Sequence, residues 1–194
     1  MRDFDIRLAL KNTSLLKFYD QSSVVVEELC LPCTGSRIDI AVVNGSLHGF
    51  EIKSASDNLL RLPSQIEGYT KVFDYLTIIT EEKHTSKIEA LAPAWIGVSY
   101  IKKTGDELTH EIVRPALKNT NTEGFYIAKL LRKEELQSLM AEFNLPYKKS
   151  FRAWTLCEIL AENIPPTELS EAVRIKLKAR EDWKLNSKAG LRFL

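Results

Sequence analysis

The stretch Arg37-Ile38-Asp39-Ile40-Ala41-Val42-Val43-Asn44-Gly45-Ser46-Leu47-His48-Gly49-Phe50-Glu51-Ile52-Lys53 decides the reading of this chain. Ile38 to Val43 is rich in β-branched residues and reads as a strand. Asn44-Gly45 is a strong hairpin signal. Leu47 to Lys53 is then the return strand. This hairpin brings Asp39, Glu51 and Lys53 onto adjacent strands. Two carboxylates offer the oxygen ligands that a hard cation prefers. A Mg²⁺ ion held by Asp39 and Glu51 would polarise a phosphate oxygen and acidify a bound water. Lys53 is two residues past Glu51 and shares its strand face. Its ammonium can orient the attacking water or stabilise charge on phosphorus. The backbone carbonyl of Ile52, between the two, is a further candidate ligand.

Register sets a condition on this site. A two-residue Asn44-Gly45 turn would pair Val43 with Ser46, and so Asp39 with Phe50. Glu51 would then face away from Asp39. Bringing the two carboxylates together requires a shift of one residue. A three-residue loop with a bulge, or a bulge at Gly49, would supply it.

On the N-terminal side, apolar positions at Phe4, Ile6, Leu8, Leu10, Leu15, Leu16 and Phe18 predict a helix over 3–18. Val24-Val25-Val26 predicts a strand ending near Leu31-Pro32, followed by a Thr34-Gly35-Ser36 turn. On the C-terminal side, the period changes from two to about 3.6. Leu59, Leu62, Ile66, Tyr69 and Phe73 line one helical face, and Pro63 either starts or kinks that helix. Tyr75 to Thr80 reads as a buried strand, 85–91 as a short helix, and Trp95 to Ile101 as another strand. The alternation implies an α/β sheet with a crossover. From about residue 125 the pattern is helical, with helices over 127–143, 151–162 and 167–183. Pro146 and Pro165-Pro166 punctuate them. The polar Asn119-Thr120-Asn121-Thr122 marks a soft boundary between residues 1–115 and 123–194.

The helix after Lys53 adds to the site. Gln65 and Tyr69 are four apart and share a helical face, with Arg61 one turn earlier. Gln-x3-Tyr after Glu-x-Lys resembles the motif of RecB-type members of the PD-(D/E)XK nuclease superfamily. The wider string also resembles a family of small, uncharacterised bacterial nuclease-like proteins: Arg37-Ile38-Asp39-Ile40-Ala41, Gly49-Phe50-Glu51-Ile52-Lys53-Ser54, then Asp57, Arg61-Leu62, Gln65, Tyr69 and Phe73-Asp74. That family is similar in this core to MmcB-type DNA-repair nucleases. The resemblance covers about residues 5–100. The remainder, including Leu130-Leu131-Arg132 and Lys178-x-Arg180-x-x-Trp183, fits more loosely.

The resemblance implies a restriction-endonuclease-like mixed sheet flanked by helices, with a C-terminal helical subdomain. It implies Mg²⁺-dependent phosphodiester hydrolysis, with Mn²⁺ able to substitute, and nucleic acid as partner, DNA in preference to RNA. Gln65 and Tyr69 would hold the substrate or the lysine, with Arg61 and Arg37 alongside. Many superfamily members carry a further acid, for which Asp5, Glu27 and Glu28 are the candidates here. Glu28 is favoured because it shares parity with Val24 and Val26. Asp57 is another nearby acid, equally suited to an N-cap.

The rest of the chain adds less. Leu145-Pro146-Tyr147-Lys148-Lys149 between two amphipathic helices is similar to helix-extended-helix DNA-binding modules. Lys148, Lys149 and Arg152 would contact phosphates. The competing reading is a helical cap that packs on the core or forms a homodimer, with Leu177, Trp183, Leu185 and Phe193 docking the C-terminus. Residues 114–194 carry 15 Lys+Arg against 10 Asp+Glu, and residues 1–113 carry 12 against 16. An acidic site flanked by a basic grip is compatible with that split. The three cysteines give no disulfide framework, and Cys30 and Cys33 have no second pair to complete a zinc site. No stretch approaches the ~20 apolar residues of a membrane span, and the N-terminus lacks a signal-peptide pattern. The expected location is the cytoplasm. His48 falls on the face opposite Glu51 and reads as packing. Ser54 and Ser56 have no His or Asp pattern for serine chemistry.

Overall fold

A computed structural model describes residues 23–54, 57–104 and 107–183. The predicted helix over 3–18, Asp5, Leu185 and Phe193 lie outside them. The described residues form an α/β fold: a six-stranded mixed sheet with helices packed against it. The strands are β1 Val24–Leu31, β2 Ser36–Val43, β3 Leu47–Lys53, β4 Tyr75–Glu81, β5 Gly97–Thr104 and β6 Glu107–Arg114. They lie side by side in sequence order. β1, β2 and β3 are antiparallel, β3, β4 and β5 are parallel, and β6 returns antiparallel to β5. The parallel pairs need crossovers. Helix α1, Leu62–Thr70, supplies the first and α2, Thr85–Leu91, the second.

Pro63 resolves as a helix starter. It sits in the first turn of α1, where its missing N–H costs nothing. The predicted apolar stripe of Leu59, Leu62, Ile66, Tyr69 and Phe73 is buried throughout.

Two expectations needed correction. Residues 107–114 form an edge strand that the sequence reading left unassigned. Its alternation is weak because an edge strand has less apolar surface to hide. The single helix expected over 127–143 is two, α3 Gly124–Ala128 and α4 Lys133–Glu142. The second starts where the Glu135 carboxylate accepts the Arg132 backbone N–H at 2.6 Å, three residues back. Helices α5 Ala153–Asn163 and α6 Pro166–Ala179 follow.

One apolar cluster runs from the sheet and α1 through Leu136, Leu139, Leu156, Leu160, Val173 and Leu177. The C-terminal helices therefore share a core with the sheet. Asn119, in the polar segment, is buried and ties the connection down. Its amide donates to the Thr70 and Phe73 carbonyls at 2.7 and 2.9 Å, which closes the C-terminal end of α1. A second cluster of Ile40, Val42, Phe50, Ile52, Ile79 and Ile101 lies within the sheet. No helix among the described residues is long and apolar enough to cross a membrane.

Candidate active site

The hairpin meets the register condition. Val43 pairs with Leu47, leaving a three-residue loop in which the Asn44 side chain accepts the Ser46 N–H at 2.9 Å. Ala41 pairs regularly with Gly49, so no bulge is used there. The ladder continues to Ile40 and Phe50 and then stops. The same count sets Asp39 opposite Glu51. Beyond that point a side chain replaces the ladder: Asp39 Oδ2 accepts the Ile52 N–H at 2.7 Å. The two strands separate here, and their carboxylates face one cleft of about 970 Å³.

Glu51 and Lys53 stand on the α1 side of β3 with only 2% and 8% exposure. A buried charge requires partners. Lys53 Nζ donates to Glu51 Oε1 at 2.7 Å and to Gln65 Oε1 at 2.9 Å. Gln65 Nε2 donates to Glu51 Oε1 at 2.9 Å and lies 3.3 Å from the Tyr69 hydroxyl. That hydroxyl lies 2.7 Å from Glu51 Oε2 and 2.8 Å from the Arg37 carbonyl. It carries one proton and so donates to one of them at a time. Burial, and then the Glu51 carboxylate, push the Tyr69 hydroxyl well above its ordinary range. Tyr69 is thus a donor that stays protonated. Among the described residues Lys53 makes two of the three hydrogen bonds its ammonium allows.

The other predicted residues divide into two groups. Arg37, Ile52 and Arg61 line the cleft, as do Asp57 and Ser54. Arg37 also pairs with Glu28, Nε to Oε2, at 2.7 Å. Asp57 accepts the Ser54 N–H at 2.6 Å, and Asn58, which accepts the Leu60 N–H, caps the 3-10 turn Leu59–Arg61 that precedes α1. Glu28 is not in the cleft lining. Its positive φ of 55° breaks the alternation used to orient it from the sequence. Lys148, Lys149 and Arg152 are exposed on the segment between α4 and α5 and do not line the cleft. His48 is buried on the other face of β3, stacked on Phe50 at 4.2 Å and 2.9 Å from Thr77 Oγ1. Burial lowers its pKa to about 4, so it is neutral.

The sequence reading did not foresee the wall made by the β1–β2 turn, which brings Cys30, Cys33, Gly35 and Ser36 to the cleft. The signal was Gly68. A Cβ there would meet Thr34 Cβ at 2.9 Å and Ser36 Oγ at 3.0 Å, so α1 docks on that turn only because residue 68 is glycine.

Among the described residues no three His, Cys, Asp or Glu side chains gather as a metal cage. Mg²⁺ does not require one, because it keeps several waters and is commonly held by one or two carboxylates. Asp39 and Glu51, lining one cleft with Ile52 between Glu51 and Lys53, fit that donor set.

The described fold also resembles a solved structure, SPO1766 of Silicibacter pomeroyi, described as a protein of unknown function. The likeness has a TM-score of 0.41 and 20% identity over 63% of this chain and 81% of that one. Protein cII of Enterobacteria phage P4 is 25% identical over 180 residues, covering 93% of this chain and 68% of that protein. The family model for bacteriophage P4 protein cII matches residues 4–192, nearly the whole length, and the chain belongs to that family.

Proposed function

We propose that this protein is a metal-dependent nuclease that hydrolyses phosphodiester bonds, in DNA in preference to RNA. The observation that carries the reading is the buried network of Glu51, Lys53, Gln65 and Tyr69 in the wall of the cleft that Asp39 also lines. Asp39, Glu51 and the Ile52 carbonyl are the oxygen donors that would hold a Mg²⁺ or Mn²⁺ ion. When bound, the ion supplies an acidified water and a polarised phosphate oxygen.

The chain's own groups do the rest. Lys53 keeps one N–H for a water or a phosphoryl oxygen, and its contact with Gln65 limits where that N–H can point. Gln65 donates to one Glu51 oxygen and the Tyr69 hydroxyl lies against the other, which holds the carboxylate in place. Asp39 is fixed by the Ile52 N–H. Arg61, exposed on the rim, is available to a phosphate.

A second reading has its own observation. Both Glu51 oxygens already accept from protein donors, which is what a purely structural cluster in a nucleic-acid-binding module would look like. Labelled DNA and RNA substrates incubated with Mg²⁺ or Mn²⁺ separate the two. The nuclease cuts, and Asp39→Ala, Lys53→Ala and EDTA each abolish cutting. If wild type binds nucleic acid without cutting and both variants bind equally well, the binding module is correct.

A further inference from the structure

Between α4 and α5 the chain crosses the surface as an extended link whose residues take two directions. Leu145, Tyr147, Phe151 and Ala153 are half-buried against the main core. Lys148, Lys149 and Arg152 face solvent, and none makes an ion pair among the described residues. The link is held in place by Gln137, which donates to the Lys149 carbonyl, and by a turn that joins the Phe151 N–H to the Lys148 carbonyl. Trp154 follows at once and is 48% exposed. Its ring packs edge-on against Phe125 at 4.7 Å, under the Lys129 ammonium at 5.4 Å. The indole N–H is satisfied by Glu158, so the ring's orientation is set in advance. Three unpaired cations and a pre-oriented indole are thus contiguous along one segment.

We propose that the Lys148–Trp154 segment, with Lys129, is a binding strip for single-stranded nucleic acid. This rests on the nucleic-acid reading of the cleft. Cations in a line match a phosphate backbone, and an exposed indole stacks on a base regardless of its identity. Such stacking needs a base face, which the interior of a duplex does not offer. Lys129 already rests over the ring and would follow a stacked base with a phosphate contact. The one carboxylate at the ring, Glu158, is engaged by the indole N–H.

The test is fluorescence anisotropy of labelled oligodeoxythymidylate, oligouridylate and a duplex, each of about 15 nucleotides or base pairs, matching single-strand site sizes. It is run with the full chain in EDTA, across a salt series. Single strands are expected to bind more tightly than the duplex. Trp154→Leu should weaken single-strand binding about tenfold, within the range for one base stack, and leave duplex binding alone. The triple variant Lys148→Gln, Lys149→Gln, Arg152→Gln alters only exposed side chains. It should make the salt dependence shallower by about 2, at roughly 0.7 per lost phosphate contact. Lys87→Gln with Lys118→Gln, removing two exposed lysines elsewhere, should leave that slope unchanged. The proposal falls if the triple variant matches wild type, or if Trp154→Leu reduces duplex and single-strand binding alike. EDTA removes cleavage from the readout, so this failure is distinguishable from loss of the nuclease reading.

Discussion

Two ion pairs among the described residues, Glu135–Arg180 and Glu51–Lys53, are built differently. In the C-terminal region Arg180 grips Glu135 with two parallel bonds, Nε to Oε1 at 2.7 Å and Nη2 to Oε2 at 2.6 Å. Nη2 also donates to the Leu130 carbonyl, and the guanidinium lies 4.3 Å from the centre of the Trp183 ring. On β3, Lys53 meets Glu51 through one oxygen, and Gln65 and Tyr69 complete the set with neutral donors and acceptors. The fork of Arg180 joins α4 to the end of α6 and lines no cleft among those described. Lys53 is a point charge with a donor to spare at a cleft wall. A bidentate fork away from the cleft fixes structure, whereas a single-oxygen pair in the cleft wall has capacity for a ligand.

Exchanging the damage between the two pairs tests this contrast. On the proposed nuclease reading, Lys53→Met is expected to lower cleavage about 100- to 1000-fold, the scale of losing one well-aimed donor to a charged transition state. Glu135→Ala is expected to cost about 3 kcal/mol of unfolding free energy, because it leaves Arg180 buried without its carboxylate. Its cleavage rate should be that of wild type wherever it is folded. Urea unfolding and initial rates on both variants decide the matter, and equal stability losses with equal rate losses would erase the distinction.

A smaller effect is expected from Tyr69→Phe. Glu51 Oε2 loses a donor while Lys53 and Gln65 keep their contacts, so stability should fall by about 1–2 kcal/mol. A loss as large as that of Glu135→Ala would make the β3 network a structural element first.

The smallest effect is in acid. Burial alone would raise the Glu135 pKa, but the Arg180 hydrogen bonds and charge and the Arg132 N–H overcome it and hold it below the ordinary 4.5. The carboxylate binds fewer protons folded than unfolded. Its stabilisation is therefore present above 4.5 and is lost as the pH falls through the lowered folded value. Glu135→Gln should flatten that part of the stability–pH curve, and an unchanged curve would assign the acid sensitivity elsewhere.

How much of this was legible follows from what each signal depends on. The β2–β3 hairpin, the strand at 75–80, the helix at 85–91 and the stripe of α1 were readable because burial imposes periodicity directly on sequence. The edge strand β6 and the break between α3 and α4 were not. The first hides little apolar surface, and the second depends on the reach of one glutamate to the Arg132 N–H. Parity could not orient Glu28 for a similar reason: alternation assumes extended backbone, and its φ is positive.

The sequence by itself determined that Asp39, Glu51, Lys53, Gln65 and Tyr69 occur in an order able to form one site, and that the site required a one-residue shift in the hairpin. Side-chain period and turn chemistry are local properties, so they survive in one dimension. Only the tertiary structure decided that the shift occurs through a three-residue loop, that Tyr69 and Gln65 reach Glu51, and that Glu28 turns to Arg37. The reach of Tyr69 and Gln65 depends on how α1 docks against the β1–β2 turn. That contact joins residues more than thirty apart and is permitted by the missing side chain of Gly68.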